Sequence, residues 1–215
     1  MTATETQSTP TTTPDEPTKP APRGRWRFVL TLSAIVLAIA LPIYWHKVLR
    51  HEFFPRNFGV VTEAQVYRSG QLTERMLRHV IDQYGLRTII ALNDGSPESA
   101  MEQRVCDELD ILRIPFTLAG NGTGSPESYA QVIDNMNNPA RQPVLVHCAS
   151  GAQRAGVSVL LYRHIVQGIS IAEAYPESFK YKHKPDEWIL LAYLAENLPA
   201  IRDHYARMEG LPDDP

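Results

Sequence analysis

The stretch Pro143-Val144-Leu145-Val146-His147-Cys148-Ala149-Ser150-Gly151-Ala152-Gln153-Arg154-Ala155-Gly156 constrains how the rest of this chain can fold. Val144 to Val146 read as a short buried strand, and from Val157 onward Val, Leu, Tyr and Ile recur at helical spacing. Between strand and helix lies a loop of small or neutral residues with one Cys and one Arg. A strand that stops, a tight loop and a helix that starts turn several backbone N–H groups inward at the positive end of a helix dipole. That arrangement is an anion site, and phosphate is its natural occupant, cradled by Ala149, Ser150, Gly151, Ala152, Gln153 and Arg154.

The spacing also carries chemistry. Cys148 attacks phosphorus only as a thiolate, and inward N–H groups, a helix N-terminus and a nearby guanidinium all favour ionised sulfur. Arg154, one loop turn later, can return over the cavity and grip two phosphate oxygens with its planar fork. Attack gives a phosphocysteine that water then hydrolyses, a two-step route with no call for a metal or other cofactor. The remaining histidines show no metal-ligand spacing. The competing reading is a buried structural Cys with Arg154 in a surface ion pair. Val-Leu-Val-His before Cys148, Gly151 inside the loop and Ala-Gly before an apolar helix weigh against it.

These residues resemble the cysteine-dependent phosphatases with a Cys-x5-Arg signature, most closely the compact dual-specificity and tyrosine phosphatase-like branch. The resemblance extends over about residues 57 to 205. It implies a tyrosine phosphatase-like α/β fold and a phosphorylated protein substrate, with phosphate on tyrosine or on serine and threonine. It also implies that His147 hydrogen-bonds the loop backbone and that Tyr67-Arg68-Ser69-Gly70-Gln71 supports the fold without entering the chemistry.

Two departures from that pattern bear on mechanism. The family places an Asp, which protonates the leaving oxygen, in a loop ahead of the Cys. Here the corresponding loop, Ala119-Gly120-Asn121-Gly122-Thr123-Gly124, has no carboxylate. Asp94, at the end of the neighbouring strand, is the substitute, with a turn or cap role as the competing reading. The second departure is Ala155, where the family commonly carries the Ser or Thr whose hydroxyl helps the thiolate depart. Both departures feed an alternative, a phosphate-binding pseudophosphatase that recruits phosphorylated partners. A phosphoinositide substrate is disfavoured because Ala149, Ser150, Ala152 and Gln153 put no positive charge in the loop. A sulfurtransferase fits the Arg spacing less well than a phosphatase does.

Strand and helix patterns alternate around this centre. Phe58 to Val61 and Val66-Tyr67 read as strands, and Thr73 caps a helix from Glu74 to Tyr84 that Gly85 ends. Arg87 to Leu92 is a strand, and Ser96-Pro97-Glu98 opens a helix reaching about Asp110, with Met101, Val105, Cys106 and Leu109 inward. Ile114 to Leu118 is a strand, Ser125-Pro126-Glu127 restarts helix to about Asn137, and the central strand follows. After the central helix, Ser170 to Phe179 forms a shorter helix. Lys180, Lys182, His183 and Lys184 make a basic loop, read as solvated surface with steering of acidic substrates toward the cleft as the competing reading, and Pro185 to Met208 is a last helix. The expected fold is α/β, a central parallel-rich sheet flanked by helices on both faces, with the ligand site at the carboxyl ends of the strands.

The chain ahead of this domain is different in kind. Residues 1–27 are a Thr/Pro-rich disordered tail with a basic flank at Arg23, Arg25 and Arg27. Residues 28–45 carry no charge and read as a single transmembrane helix preceding the domain. A buried core helix and a cleaved signal peptide ending near Ala38-Ile39-Ala40 are the rivals to this membrane anchor. Residues 46–56 are then a linker, 57–208 the catalytic domain and 209–215 a flexible C-terminus. Lys19, Arg23, Arg25 and Arg27 before the span, against Lys47, Arg50 and Arg56 after it, point to a cytoplasmic N-terminus and a catalytic domain on the non-cytoplasmic side. The net charge of -3 gives no electrostatic reason to expect nucleic acid as a partner. Two cysteines cannot build a disulfide scaffold.

Overall fold

The computed structural model describes residues 23–45, 50–183 and 188–210. It comprises two compact units, Met1–His46 and Lys47–Pro215. In the first unit, helix α1 (Arg23–Tyr44) begins ahead of the uncharged run, taking in the positions of Arg23, Arg25 and Arg27. Its stretch Trp26–Tyr44 is long and apolar enough to cross a membrane by length and composition, and none of its side chains is buried. The expected disorder of residues 1–22 lies outside the described residues, as do residues 46–49, 184–187 and 211–215.

The second unit is built on a five-stranded sheet in the order β1-β2-β5-β3-β4. Its strands are β1 (Gly59–Thr62), β2 (Val66–Gly70), β3 (Thr88–Ala91), β4 (Leu112–Pro115) and β5 (Val144–Cys148). β1 pairs antiparallel with β2, and the other pairings are parallel, so the sheet is mixed. Short loops keep the first hairpin antiparallel, whereas each parallel pair needs a helical crossover. β4 lies earlier than Ile114 to Leu118 because Pro115 closes it, on the edge of the sheet where a missing N–H is tolerated. Beyond it the chain still follows β3, with Phe116 N–H donating to the Ala91 carbonyl at 2.7 Å.

Helices cover both faces, as the alternating pattern requires. Ahead of them, α2 (Arg50–Phe53) belongs to this compact unit, as does Arg56, whose carbonyl accepts from Gly70 N–H at 2.6 Å. Part of the expected linker is therefore domain. On one face, α3 (Glu74–Tyr84) and α4 (Ser99–Glu108) enclose Tyr67, Leu77, Val80, Ile89, Val105, Cys106 and Leu145. Thr73 caps α3 with its hydroxyl, and Gly85 ends it in the left-handed region at φ 59°. α4 starts only at Ser99, because Ser96-Pro97-Glu98 forms the turn before it. Leu109 is 40% exposed rather than inward, and the inward place is taken instead by Glu102, which is 2% exposed.

The other face carries α5 (Pro126–Asn137), α6 (Gln153–Ile165), α7 (Ile171–Phe179) and α8 (Trp188–Glu209) over a core of Ile90, Leu92, Tyr129, Ile133, Met136, Val144, Val146 and Leu161. Ser125 caps α5, and Ser170 with Glu173 forms a capping box on α7. The expected start of the last helix at Pro185 lies outside the described residues. Because Ile90 is completely buried and Leu109 is not, Ile90→Ala should lower stability by about 2–5 kcal/mol and Leu109→Ala by under about 1 kcal/mol. Urea unfolding of residues 47–215 measures both, and equal losses would contradict this core.

Candidate active site

β5 ends at Cys148, which is 1% exposed, and α6 begins at Gln153. The loop between them lies against the end of β2, where Gly70 is in register with Cys148 and Gln71 N–H donates to the Ala149 carbonyl at 3.2 Å. Gly151 is left-handed at φ 71°, and a Cβ there would stand 2.5 Å from the Gly70 nitrogen and 2.7 Å from the Ser69 carbonyl. Only glycine fits such a backbone contact. Ala152 at the N-cap of α6 gives no side-chain cap. The first N–H groups of the helix are thereby left for an anion.

Arg154 is half-buried, and its Nη1 donates to the carbonyls of Leu92 at 3.3 Å and Leu118 at 3.4 Å. These contacts hold it by the carboxyl end of β3 and the chain that follows β4. A second guanidinium comes from a residue expected only to support the fold. Arg68 on β2 is 1% exposed, donates from Nη2 to the Gly151 carbonyl at 2.7 Å, and stacks 3.9 Å from the centre of the Tyr181 ring. Burial pulls its pKa down to about 10, opposed by Tyr181, Glu177 and Cys148, so it stays charged at neutral pH. A buried cation behind the loop gives the loop a positive potential.

On the opposite side of Cys148 lies a buried polar network. Glu102 accepts from Arg113 Nε at 2.8 Å and from Gln71 Nε2 at 2.9 Å, and Gln71 in turn accepts from Asn93 Nδ2 at 3.0 Å. His147 does not bond the loop backbone as expected. Its Nε2 lies 2.9 Å from Glu102 Oε2, because β5 points its ring to the α4 face where the buried carboxylate stands. Asp94 is also engaged, accepting from Arg113 Nη2 at 2.8 Å. The Arg113 guanidinium holds the Asp94 carboxyl below its ordinary range. At neutral pH it is a carboxylate with no proton to give, which counts against the acid role expected for it.

The Ala119–Gly124 loop does reach the site. Leu118 at its start accepts from Arg154, and Gly120 lines the cleft beside the cysteine loop. Tyr129 and Tyr193 hold it by donating their hydroxyls to the Gly122 and Gly124 carbonyls at 2.5 and 2.8 Å. The basic segment after α7 is not simply solvated. His183 is buried with its ring edge-on to Tyr175, and Tyr181 backs Arg68, while Lys182 stays exposed. Lys184 lies outside the described residues. Among those residues, no group of His, Cys, Asp and Glu could hold a metal ion.

Residues 41–188 match the family model described as PTP-NADK, a DSP-PTPase phosphatase fused to NAD+ kinase. A protein named as a candidate tyrosine-protein phosphatase, OCA1 of Mycosarcoma maydis, is 30% identical over 114 residues, spanning 52% of this chain and 71% of the relative. The tyrosine-protein phosphatase-like protein OCA2 of Saccharomyces cerevisiae is 30% identical over 121 residues, spanning 55% of this chain and 61% of the relative. Among solved structures, the core catalytic domain of the PP-IP phosphatase SIW14 from S. cerevisiae superposes with a TM-score of 0.60 at 20% identity, covering 74% of this chain and 97% of that one. TpbA of P. aeruginosa gives a TM-score of 0.57 at 17% identity, covering 70% and 91%. At such identity these two structures speak for the fold alone.

The network around Glu102 gives a pH signature. Burial pushes its carboxyl up, but His147 and Arg113 outweigh burial and hold it at about 2, against 4.5 for an ordinary glutamate. A carboxyl depressed by folding stabilises the fold above its unfolded value and loses that contribution as pH falls through its folded value. Glu102→Gln should therefore lower stability by about 3 kcal/mol at neutral pH. Urea unfolding should show the gap between parent and variant narrowing as pH drops below 4.5. A gap that stays constant with pH would refute the ionised state of Glu102.

Proposed function

The chain belongs to the PTP-NADK family of DSP-PTPase phosphatases, and from that premise we propose that it hydrolyses phosphate monoesters through a phosphocysteine on Cys148. The observation that carries this reading is Cys148 at a strand end, facing an α6 N-terminus without a side-chain cap, with the Arg68 guanidinium behind the loop. Cys148 is the nucleophile. The backbone from Ala149 to Gln153 cradles the phosphate, and Arg154 leaves its carbonyl partners to take two phosphate oxygens. Protein phosphotyrosine or phosphoserine/threonine is the finer substrate reading, supported by the tyrosine phosphatase names of the relatives.

One observation favours a second reading, a domain that binds phosphate without turning it over. Asp94 is ionised beside Arg113, and the Ala119–Gly124 loop brings no carboxylate. Neither can protonate a poor leaving group. Aryl phosphates with good leaving groups separate the readings, because they need no such proton. Cys148→Ser should abolish their turnover, and Arg154→Lys should lower it about a hundredfold, since a point charge cannot copy the two-oxygen grip. Rapid mixing should show a burst near one product per site before a slow steady rate, and Ala155→Ser should speed the slow phase alone. No turnover by the parent chain would favour the binding domain.

The helix Trp26–Tyr44 supports a membrane anchor for the domain, with the charge bias around it favouring export of residues 47–215. Full-length protein should then stay with membranes through alkaline washing. Release by alkali, or a reporter fused at Pro215 that reads cytoplasmic, would overturn the anchor or its orientation respectively.

A further inference from the structure

A cleft of about 350 Å³ adjoins the cysteine loop, lined by Arg56, Asn57, Ser150, Ala152, Gln153 and Lys182 together with Gly120. The loop itself has no basic residue before Arg154. The two cations of this cleft come instead from segments far away in sequence, one ahead of β1 and one after α7.

Both segments are built onto the loop. The Arg56 carbonyl accepts from Gly70 N–H at 2.6 Å, and its Nη1 lies 3.5 Å from the Ala149 carbonyl. Asn57, left-handed at φ 47°, donates from Nδ2 to the carbonyls of Ser150 at 2.7 Å and Tyr181 at 3.3 Å. That one side chain ties the cysteine loop to the residue beside Lys182. Lys182 is itself left-handed at φ 63°, and its N–H donates to the Phe179 carbonyl at 3.1 Å. A non-glycine residue in that region carries strain, which persists only where surrounding contacts impose it. The clamp therefore sets a guanidinium and an ammonium on the rim of the phosphate cradle, both exposed and within one cleft.

We infer that Arg56, Asn57 and Lys182 form a second anion subsite, which takes a second phosphate carried by the same molecule whose first phosphate enters the Cys148 loop. This rests on the reading of that loop as a phosphate site, and it names a compact polyphosphorylated molecule as the substrate in place of the phosphoprotein favoured by the relatives' names alone. Guanidinium and ammonium groups recognise phosphate oxygens by charge-assisted hydrogen bonds, which exceed neutral ones in strength. The subsite also removes the ground on which a multiply phosphorylated substrate was disfavoured, the absence of positive charge within the loop.

Calorimetric titration of the full-length Cys148→Ser chain in detergent, with sodium tripolyphosphate and with orthophosphate, tests the subsite without requiring turnover. Tripolyphosphate should bind at least about tenfold more tightly than orthophosphate. In Arg56→Gln/Lys182→Gln that preference should fall to within about threefold, whereas Arg56→Lys/Lys182→Arg should keep most of it. Lys182→Gln alone should lose part of the preference, which separates charge from any disturbance of the Ala149 contact by Arg56→Gln. A preference unchanged in the double Gln variant would overturn the subsite, as would equal binding of the two anions by the starting chain. Failure of orthophosphate to bind at all would overturn the underlying phosphate site, and the subsite with it.

Discussion

The site depends on one close approach, that of the Gly151 backbone to Ser69 and Gly70. A Cβ at Gly151 would stand 2.5 Å from the Gly70 nitrogen, so the loop can turn inward only because two backbones are allowed to touch. That contact requires β2 to end beside β5, which the register of Gly70 with Cys148 provides. It also places the Gly151 carbonyl where Arg68 can reach it at 2.7 Å. The short strand, the parallel register and the buried arginine thus form one device.

Two buried charges stand behind this device, and they are compensated differently. Glu102 is met by Arg113, Gln71 and His147, a well-partnered carboxylate whose role is to tie β5, α4 and β4 together. Arg68 is met by a carbonyl, an aromatic ring and the nearby charge of Glu177, and its Nε has no hydrogen-bond partner among the described residues. Burying a cation with incomplete compensation lowers stability. At this place an anion bound in the Cys148 loop would balance it. The electrostatics of the site therefore come from the scaffold as much as from the loop.

Local signals made much of this legible in the sequence. The strand, loop and helix around Cys148, the Thr73 and Gly85 caps of α3 and the Ser125 cap of α5 depend on neighbours in the chain, which is what spacing and capping chemistry report. What escaped was long-range. Glu102 reads as an ordinary surface acid of a helix, and no local pattern shows that Arg113 and His147 will surround it. Arg68 and Tyr181 meet only through the tertiary fold, as do Arg56 and Ala149. Asp94 stood at the right strand end to serve as an acid, but its pairing with Arg113 on the edge strand is invisible to sequence. The early end of β4 turned on Pro115, whose effect depends on whether its strand is central or at an edge.

The account rests on a covalent step at Cys148. Acid quenching of the parent chain during turnover of an aryl phosphate, followed by peptide mapping in a mass spectrometer, observes that step directly. The account predicts phosphate on the sulfur of Cys148, accumulating because hydrolysis lacks a hydroxyl at position 155. Aryl product released with no phosphate on Cys148, or with phosphate on another residue, would contradict it.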